Sequence, residues 1–400
     1  MTEKKRLGVN RNVFFTGLIS LFMDISSEMI YPLVPIFLSS VLGVNKSLIG
    51  VIEGIAESTA SLLRVFSGWL SDRIRKRKAL MIAGYGISTL SRPILALSTL
   101  WTHVLTFRFI DRFGKGIRVA PRDALIAEST PSGELGRSFG LHRAMDTLGA
   151  VLGPLLAFSI LSGSQGNYRL VFWASLIPGI FAVSIIVFFI KERIRSNKAD
   201  NRGLNPQTPV SSDLRSFDWR FKVFVAIATL FSLGNSSDVF LILRATDIGI
   251  SITTVPLLYL SFNLVYSLTS MPAGILSDIA GRRGVIITGF LLFAFIYMGF
   301  ALSSEVWHIW VLFLLYGVFM GLTEGIQRAY LGSIIPEGLM ATGYGIYSTL
   351  TGLALLPASI IGGYLWDRLG PQATFYYGSL TAFTSTVLLL IMMMVERTGD

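Results

Sequence analysis

The chain has 400 residues, of which 52% are hydrophobic and only 14% charged, with a formal net charge of +10 and a mean hydropathy of +0.62. Ordinary soluble domains carry about a quarter charged residues, so a soluble chain of this composition would lack the polar groups to cover its surface. With no cysteine, disulfide and thiolate chemistry are excluded. The histidines His103, His142 and His308 lie far apart and show no metal-ligand spacing, so no metal and no cofactor is expected.

The basic N-terminus, Met1 to Arg6 and then Asn10-Arg11, leads into an apolar run that continues past residue 35. It is too long for a signal-peptide core and has no small-residue cleavage site, so it reads as a retained first helix. Twelve apolar stretches follow in order: 13–38, 47–70, 79–98, 104–126, 138–161, 169–190, 222–245, 254–276, 284–303, 306–330, 340–363 and 372–395. Each is close to the roughly 20 residues that cross a bilayer core as a helix. Spans of this length must satisfy their own backbone hydrogen bonds, which excludes isolated strands. The expectation is an all-α membrane protein with twelve transmembrane helices in two six-helix pseudo-repeat bundles. Residues 1–190 would form the first bundle, 191–220 a linker and 221–400 the second.

Charge sets the orientation. The second-to-third connection runs Ser71-Asp72-Arg73-Ile74-Arg75-Lys76-Arg77-Lys78, and the middle connection carries Lys191, Arg193, Arg195, Lys198 and Arg202. The connections 42–47, 98–103 and 162–168 hold one lysine between them. Lys and Arg favour the cytoplasm, so both termini and the linker are expected there, in the plasma membrane of a bacterium or archaeon. The same bias accounts for the net positive charge without nucleic acid.

The halves repeat. Gly68-Trp69-Leu70-Ser71-Asp72 returns as Gly274-Ile275-Leu276-Ser277-Asp278, an offset of 206 residues. Ser26-Ser27-Glu28 returns as Ser236-Ser237-Asp238 at 210, and Gly149 with Pro154 as Gly352 with Pro357 at 203. Three markers in one order with similar offsets indicate an internal repeat.

The second-to-third loop, Gly68-Trp69-Leu70-Ser71-Asp72-Arg73-Ile74-Arg75-Lys76-Arg77 and then Leu80, resembles the loop motif of the major facilitator superfamily. Arg75 stands where that pattern has glycine. The copy at Gly274, Asp278, Gly281, Arg282 and Arg283 keeps the glycine but has Ile279 for the first arginine. Gly140, Gly149 and Gly153-Pro154 resemble the fifth-helix motif of proton-coupled antiporters in the superfamily, with Ala157-Phe158 replacing its final Gly-Gly. Arg112 with Lys115-Gly116 is similar to a fourth-helix pattern that has Gln in place of Lys. The resemblance implies the major facilitator fold, a cytoplasmic gate at Gly68, Asp72, Arg73, Lys76 and Arg77 and at their second-half counterparts, and a place for Arg112 in proton coupling.

Charges within the spans point to function, because each is costly to insert and usually faces a cavity. Span one carries Asp24 and Glu28, span two Glu53 and Glu57, and span four the stripe Arg108, Arg112, Lys115, Arg118 and Arg122. The proton-coupling candidates are Asp24, Glu28, Glu57 and Arg112. The substrate-cavity candidates are Arg108, Arg112, Lys115 and Arg118 with Asp238 and Glu324 of the second half. Glu28 and Arg112 each lie about three residues, roughly 4.5 Å, outward of their span centres, as counted at 1.5 Å per residue. The expectation is therefore a Glu28–Arg112 pair, with Asp24 level with Lys115, and Arg92 as the partner of Glu53.

No phosphate-binding loop and no nucleophile–base cluster stands out, so ATP hydrolysis and enzymatic chemistry are not expected. The leading function is secondary active transport of a small molecule by alternating access, proton-coupled and outward. The partners expected are membrane lipid, protons and a small-molecule substrate, and the chain is expected to act as a monomer. An importer or facilitator of an organic anion is the alternative, since the span-four stripe suits a carboxylate or phosphate. A receptor or lipid-handling protein on the same fold is the reading from another class.

Overall fold

The computed structural model describes residues 10–74, 76–130, 135–191, 217–336 and 339–399, with the side chains of 64–65, 68–74, 135–137, 340–342 and 397–399 left undescribed. Span one is built from α1 (Arg11–Glu28), α2 (Val34–Ile36) and a π-turn (Phe37–Val41). Span two is α3 (Lys46–Ile74). Span three is α4 (Arg77–Leu90) with α5 (Arg92–Ala96), span four α6 (Trp101–Glu128) and span five α7 (Leu135–Gly163). Span six is α8 (Tyr168–Ala174) with α9 (Leu176–Phe189). The second half follows the same plan. Span seven is α10 (Trp219–Gly234) with α11 (Val239–Ile248), then α12 (Val255–Ala280), α13 (Arg282–Leu302), α14 (Val306–Ile334), α15 (Met340–Leu369) and α16 (Pro371–Gly399).

All twelve expected spans are helical; spans three and six are interrupted at the single residues Ser91 and Ser175, whereas spans one and seven break over several residues. Span one breaks after Glu28, and span seven breaks over Asn235, Ser236 and Ser237. These are the positions of the repeated Ser-Ser-acid marker. Interrupted helices near mid-membrane expose backbone groups only where protein or a cavity receives them. At the second break, Ser237 donates its N–H to Ser359 Oγ at 3.3 Å and Tyr297 donates to Ser236 O at 3.5 Å.

Eight described stretches are long and apolar enough to cross a membrane. Spans one, two, four and eight fall outside that set. The first three carry the charged residues, and span eight is diluted by Asn263, Ser, Thr and Pro272. Large apolar side chains point outward on the others, as at Phe188, Phe295 and Met394, which places hydrocarbon rather than water around the molecule.

In the first half, α1 packs on α7 and α9, and α6 packs on α3 and α4. In the second, α12 packs on α14, and α16 on α13 and α10. The most extensive seams between the halves are α3 against α15 and α7 against α12. The α3–α15 approach is close because glycine faces backbone. A Cβ on Gly50 would lie 2.1 Å from Ser359 O, and one on Gly363 2.4 Å from Lys46 O. Small residues at such contacts let helices pack without a hydrophobic driving force.

Candidate transport pathway and its charged lining

The end of the bundle bearing residues 10 and 399 is termed here the terminal face, and the other the distal face. The distal end is shut. Asp367, near the end of α15, accepts hydrogen bonds from Lys46 N–H (3.1 Å), Ser47 N–H (2.7 Å) and Ser47 Oγ–H (2.6 Å). The carboxylate thus satisfies free amides at the N-terminus of α3, where negative charge is favoured, and does so across the two halves. Below it, α2 meets α11, and the rings of Tyr31 and Tyr259 lie 5.4 Å apart.

Beneath this closure a cavity of about 190 Å³ is lined by Asp24, Glu28, Tyr31, Glu57, Arg108, Arg112, Lys115, Arg118 and Tyr259, among others. Most of its charges neutralise one another. Arg112 pairs with Glu57 at 2.7 Å, Arg108 pairs with Glu53 and lies 3.8 Å from Glu57, and Arg92 is 3.5 Å from Asp111. Arg108 and Arg112 both sit over the ring of Tyr31, at 5.5 and 5.7 Å. Arg118 lies over Tyr85 at 4.6 Å and donates to Ser88 Oγ at 2.9 Å.

Two expected pairings are corrected. Arg112 takes Glu57 of span two rather than Glu28 of span one. Arg92 takes Asp111 and donates to Ser27 Oγ at 3.0 Å, leaving Glu53 to Arg108. The physical reason is packing: α6 lies along α3, which carries Glu53 and Glu57, whereas α1 lies along α7 and α9. Arg92 is 1% exposed and belongs to the buried network, not to the periphery.

Glu28 is thereby released. Its Oε2 is buried with no hydrogen-bond partner among the described residues. Lys115 lines the same cavity and makes no hydrogen bond or ion pair among the described residues. The fifth-helix glycines bring α7 onto the same part of α1. A Cβ on Gly149 would lie 2.8 Å from Asp24 Cβ, and one on Gly153 2.8 Å from Glu28 Cβ. Pro154 is buried beside them, whereas Gly140 faces open space.

In the second half, Asp238 accepts a hydrogen bond from Tyr316 Oη at 2.7 Å. Glu324 accepts one from Tyr266 Oη, and Arg143 of the first half donates to the same hydroxyl at 3.0 Å. Glu324, Tyr266 and Arg143 border a wider cavity of about 510 Å³ between α7, α12 and α14, toward the terminal face. Glu324 therefore lies below the Glu28 cavity, separated from it in depth.

The side chains of Gly68, Asp72 and Arg73 lie outside the described residues. Lys76 is exposed, and Arg77 pairs with Glu128 at 2.7 Å within its own half. In the second copy Arg282 lies 3.4 Å from Asp278 and donates to Ala329 O at 2.9 Å, and Arg283 pairs with Glu396. These contacts too stay within one half. Gly281 has φ +91° at the start of α13, a region glycine adopts without strain, which accounts for that position of the motif. The sequence reading passed over Asp146, four residues after His142 on α7, although it is a charge within the apolar span 138–161. That charge was the available signal.

Among the described residues no group of three or more potential ligands is placed to hold a metal. The family model described as Major Facilitator Superfamily matches residues 16–243 and 223–400. An uncharacterized MFS-type transporter of Methanocaldococcus jannaschii is 37% identical over 388 residues, covering 96% of this chain and 95% of the relative. The quinolone resistance protein NorA of Staphylococcus aureus is 23% identical over 224 residues, 56% of this chain and 55% of that one. The crystal structure of the nucleoside transporter NupG superposes with a TM-score of 0.81 at 10% identity, covering 95% of this chain and 99% of the other, so the likeness is one of fold. Two six-span halves, a charged cavity between them and these matches together make the chain a multi-pass membrane transporter, not an enzyme, that belongs to the Major Facilitator Superfamily.

Proposed function

We propose that this transporter is a proton-coupled exporter of small molecules that works by alternating access as a monomer in a prokaryotic plasma membrane. On this reading the Lys- and Arg-rich terminal face is cytoplasmic, and the described state is open toward it and closed by Asp367 at the other end. Glu28 carries the reading. It is a carboxylate inside the membrane, at a helix break beside the substrate cavity, with one oxygen buried and unpartnered. Such a group gains or loses a proton as its surroundings change, and a substrate bound beside it alters that exchange reciprocally. The likeness to a quinolone resistance protein supports outward transport.

Proteoliposomes with an imposed pH gradient test this, with a quinolone and ethidium as probes. Wild-type protein should move probe against its gradient, whereas Glu28→Gln should retain only downhill exchange. Accumulation by Glu28→Gln at the wild-type rate and pH dependence would remove Glu28 from the mechanism. A second reading, transport of an organic anion, is favoured by Lys115, which has no hydrogen-bond or ion-pair partner among the described residues, and by Arg118, which among them donates to a hydroxyl and lies over a ring. Under that reading Lys115→Gln abolishes uptake of a dicarboxylate and spares that of a cationic dye.

A further inference from the structure

Two charges of the first-half cavity stand outside its ion pairs. Arg92, Arg108 and Arg112 each face an acidic partner, and Arg118 is engaged by Ser88 and the Tyr85 ring. Glu28 and Lys115 line the same cavity of about 190 Å³, and neither makes an ion pair among the described residues. Charge inside a membrane-spanning bundle is costly and is normally offset by a partner. An acid and a base beside one cavity would cancel if they met, and here they do not meet.

Each is fixed by its own neighbours. Lys115 stands between two glycines that fasten α6 on two sides. A Cβ on Gly114 would lie 2.5 Å from Gly84 O of α4, and one on Gly116 2.5 Å from Leu63 Cβ of α3. Ser67 of α3 also donates to Gly116 O at 2.7 Å. Glu28 is held from other directions. Ser26 donates to Ser175 O at 2.6 Å, Ser27 accepts from Arg92 at 3.0 Å, and a Cβ on Gly153 of α7 would lie 2.8 Å from Glu28 Cβ. The two charges are thus presented from different helices, with one cavity open to both.

A preorganised anion and cation facing one cavity favour a ligand that carries both charges, because each end then satisfies a group that is otherwise unpaired. A singly charged ligand leaves one of the two unmatched. Tyr31, Phe107 and Tyr259 line the same cavity and offer ring surface to the body of such a ligand. We propose that this cavity takes a small zwitterion, with its carboxylate or phosphate on Lys115 and its ammonium on Glu28. This names the substrate class and rests on the proton-coupled reading for its use in transport: Glu28 serves the ammonium when ionised and the proton when not.

The experiment compares three probes built on one ring: para-(aminomethyl)benzoate with both charges, para-methylbenzoate with the anion alone and benzylamine with the cation alone. Binding to the purified transporter in lipid nanodiscs is read at neutral pH from the concentration dependence of thermal stabilisation. The zwitterion should bind about ten- to a hundredfold more tightly than either singly charged probe, the scale of one charge-assisted contact. Lys115→Gln should bring it down to the affinity of benzylamine, and Glu28→Gln to that of para-methylbenzoate. Size-exclusion elution establishes that each variant is folded, and the wild-type ranking decides the proposal should a variant fail to fold. Equal affinities for the three probes, or binding of none, overturn the zwitterion site. Asp24, one turn before Glu28, lines the cavity too; loss of the zwitterion's advantage in Asp24→Asn but not in Glu28→Gln overturns the assignment of its ammonium end. The ranking needs no gradient, so if it holds while wild-type proteoliposomes ignore a pH gradient, the site stands and the coupled reading alone falls.

Discussion

The Glu53–Arg108 pair joins α3 to α6 and is the most deeply buried ion pair described, with side chains 1% and 4% exposed. Removing one partner from a buried pair costs about 3–5 kcal/mol because the other charge is left uncompensated. The structure makes the two removals unequal. Without Glu53, Arg108 still has Glu57 at 3.8 Å and the Tyr31 ring at 5.5 Å. Without Arg108, Glu53 has no other ion-pair partner among the described residues, and its Oε1 already lacks a hydrogen bond. Arg108→Met should therefore destabilise by about 3–5 kcal/mol and Glu53→Gln by only about 1–2 kcal/mol. The double variant removes both charges and should recover most of the Arg108→Met loss, since a buried pair replaced by apolar groups is often neutral. Thermal stability followed by fluorescence-detected size exclusion in detergent measures all three. Equal losses for the single variants, or a double variant as poor as their sum, would refute the reasoning.

Two further predictions concern the contacts between helices. Asp367→Ala removes three hydrogen bonds that close the distal end. With spin labels at Val41→Cys and Ser251→Cys in this cysteine-free chain, the interlabel distance distribution should gain a longer component, and an unchanged distribution would show that the closure is held elsewhere. Gly149→Ala places a Cβ 2.7 Å from Leu21 O and should cost about 1–3 kcal/mol. Gly140→Ala, in open space, should be neutral in the same stability assay, and similar losses at the two positions would contradict the packing account.

Much of this protein is local and therefore readable from the chain alone. A stretch of about twenty apolar residues forms a helix in hydrocarbon whatever its neighbours, because no water is present to take its backbone groups. Twelve such stretches, the repeated loop motif and the repeated Ser-Ser-acid marker specify the two-half architecture. The residues of the charged cavity were also legible, since intramembrane charge is costly enough to stand out. The breaks in spans one and seven also carried a local signal that the reading left unused, Pro32 and Pro35 after Glu28 and Gly234-Asn235 before Ser236.

Partner choice was decided by tertiary structure. Counted from the centre of span 47–70, Glu57 lies about 2 Å toward the distal face, against roughly 4.5 Å for Glu28, a difference of less than one turn, so depth arithmetic does not choose between the two carboxylates for Arg112. Rotation about the helix axes separates them. α6 presents its basic stripe to α3, and α7 claims the acidic face of α1 through Gly149 and Gly153. Depth follows from counting residues along one helix, whereas facing depends on which helices are neighbours, a property of the packed bundle. Glu28 has no ion-pair partner among the described residues for that reason.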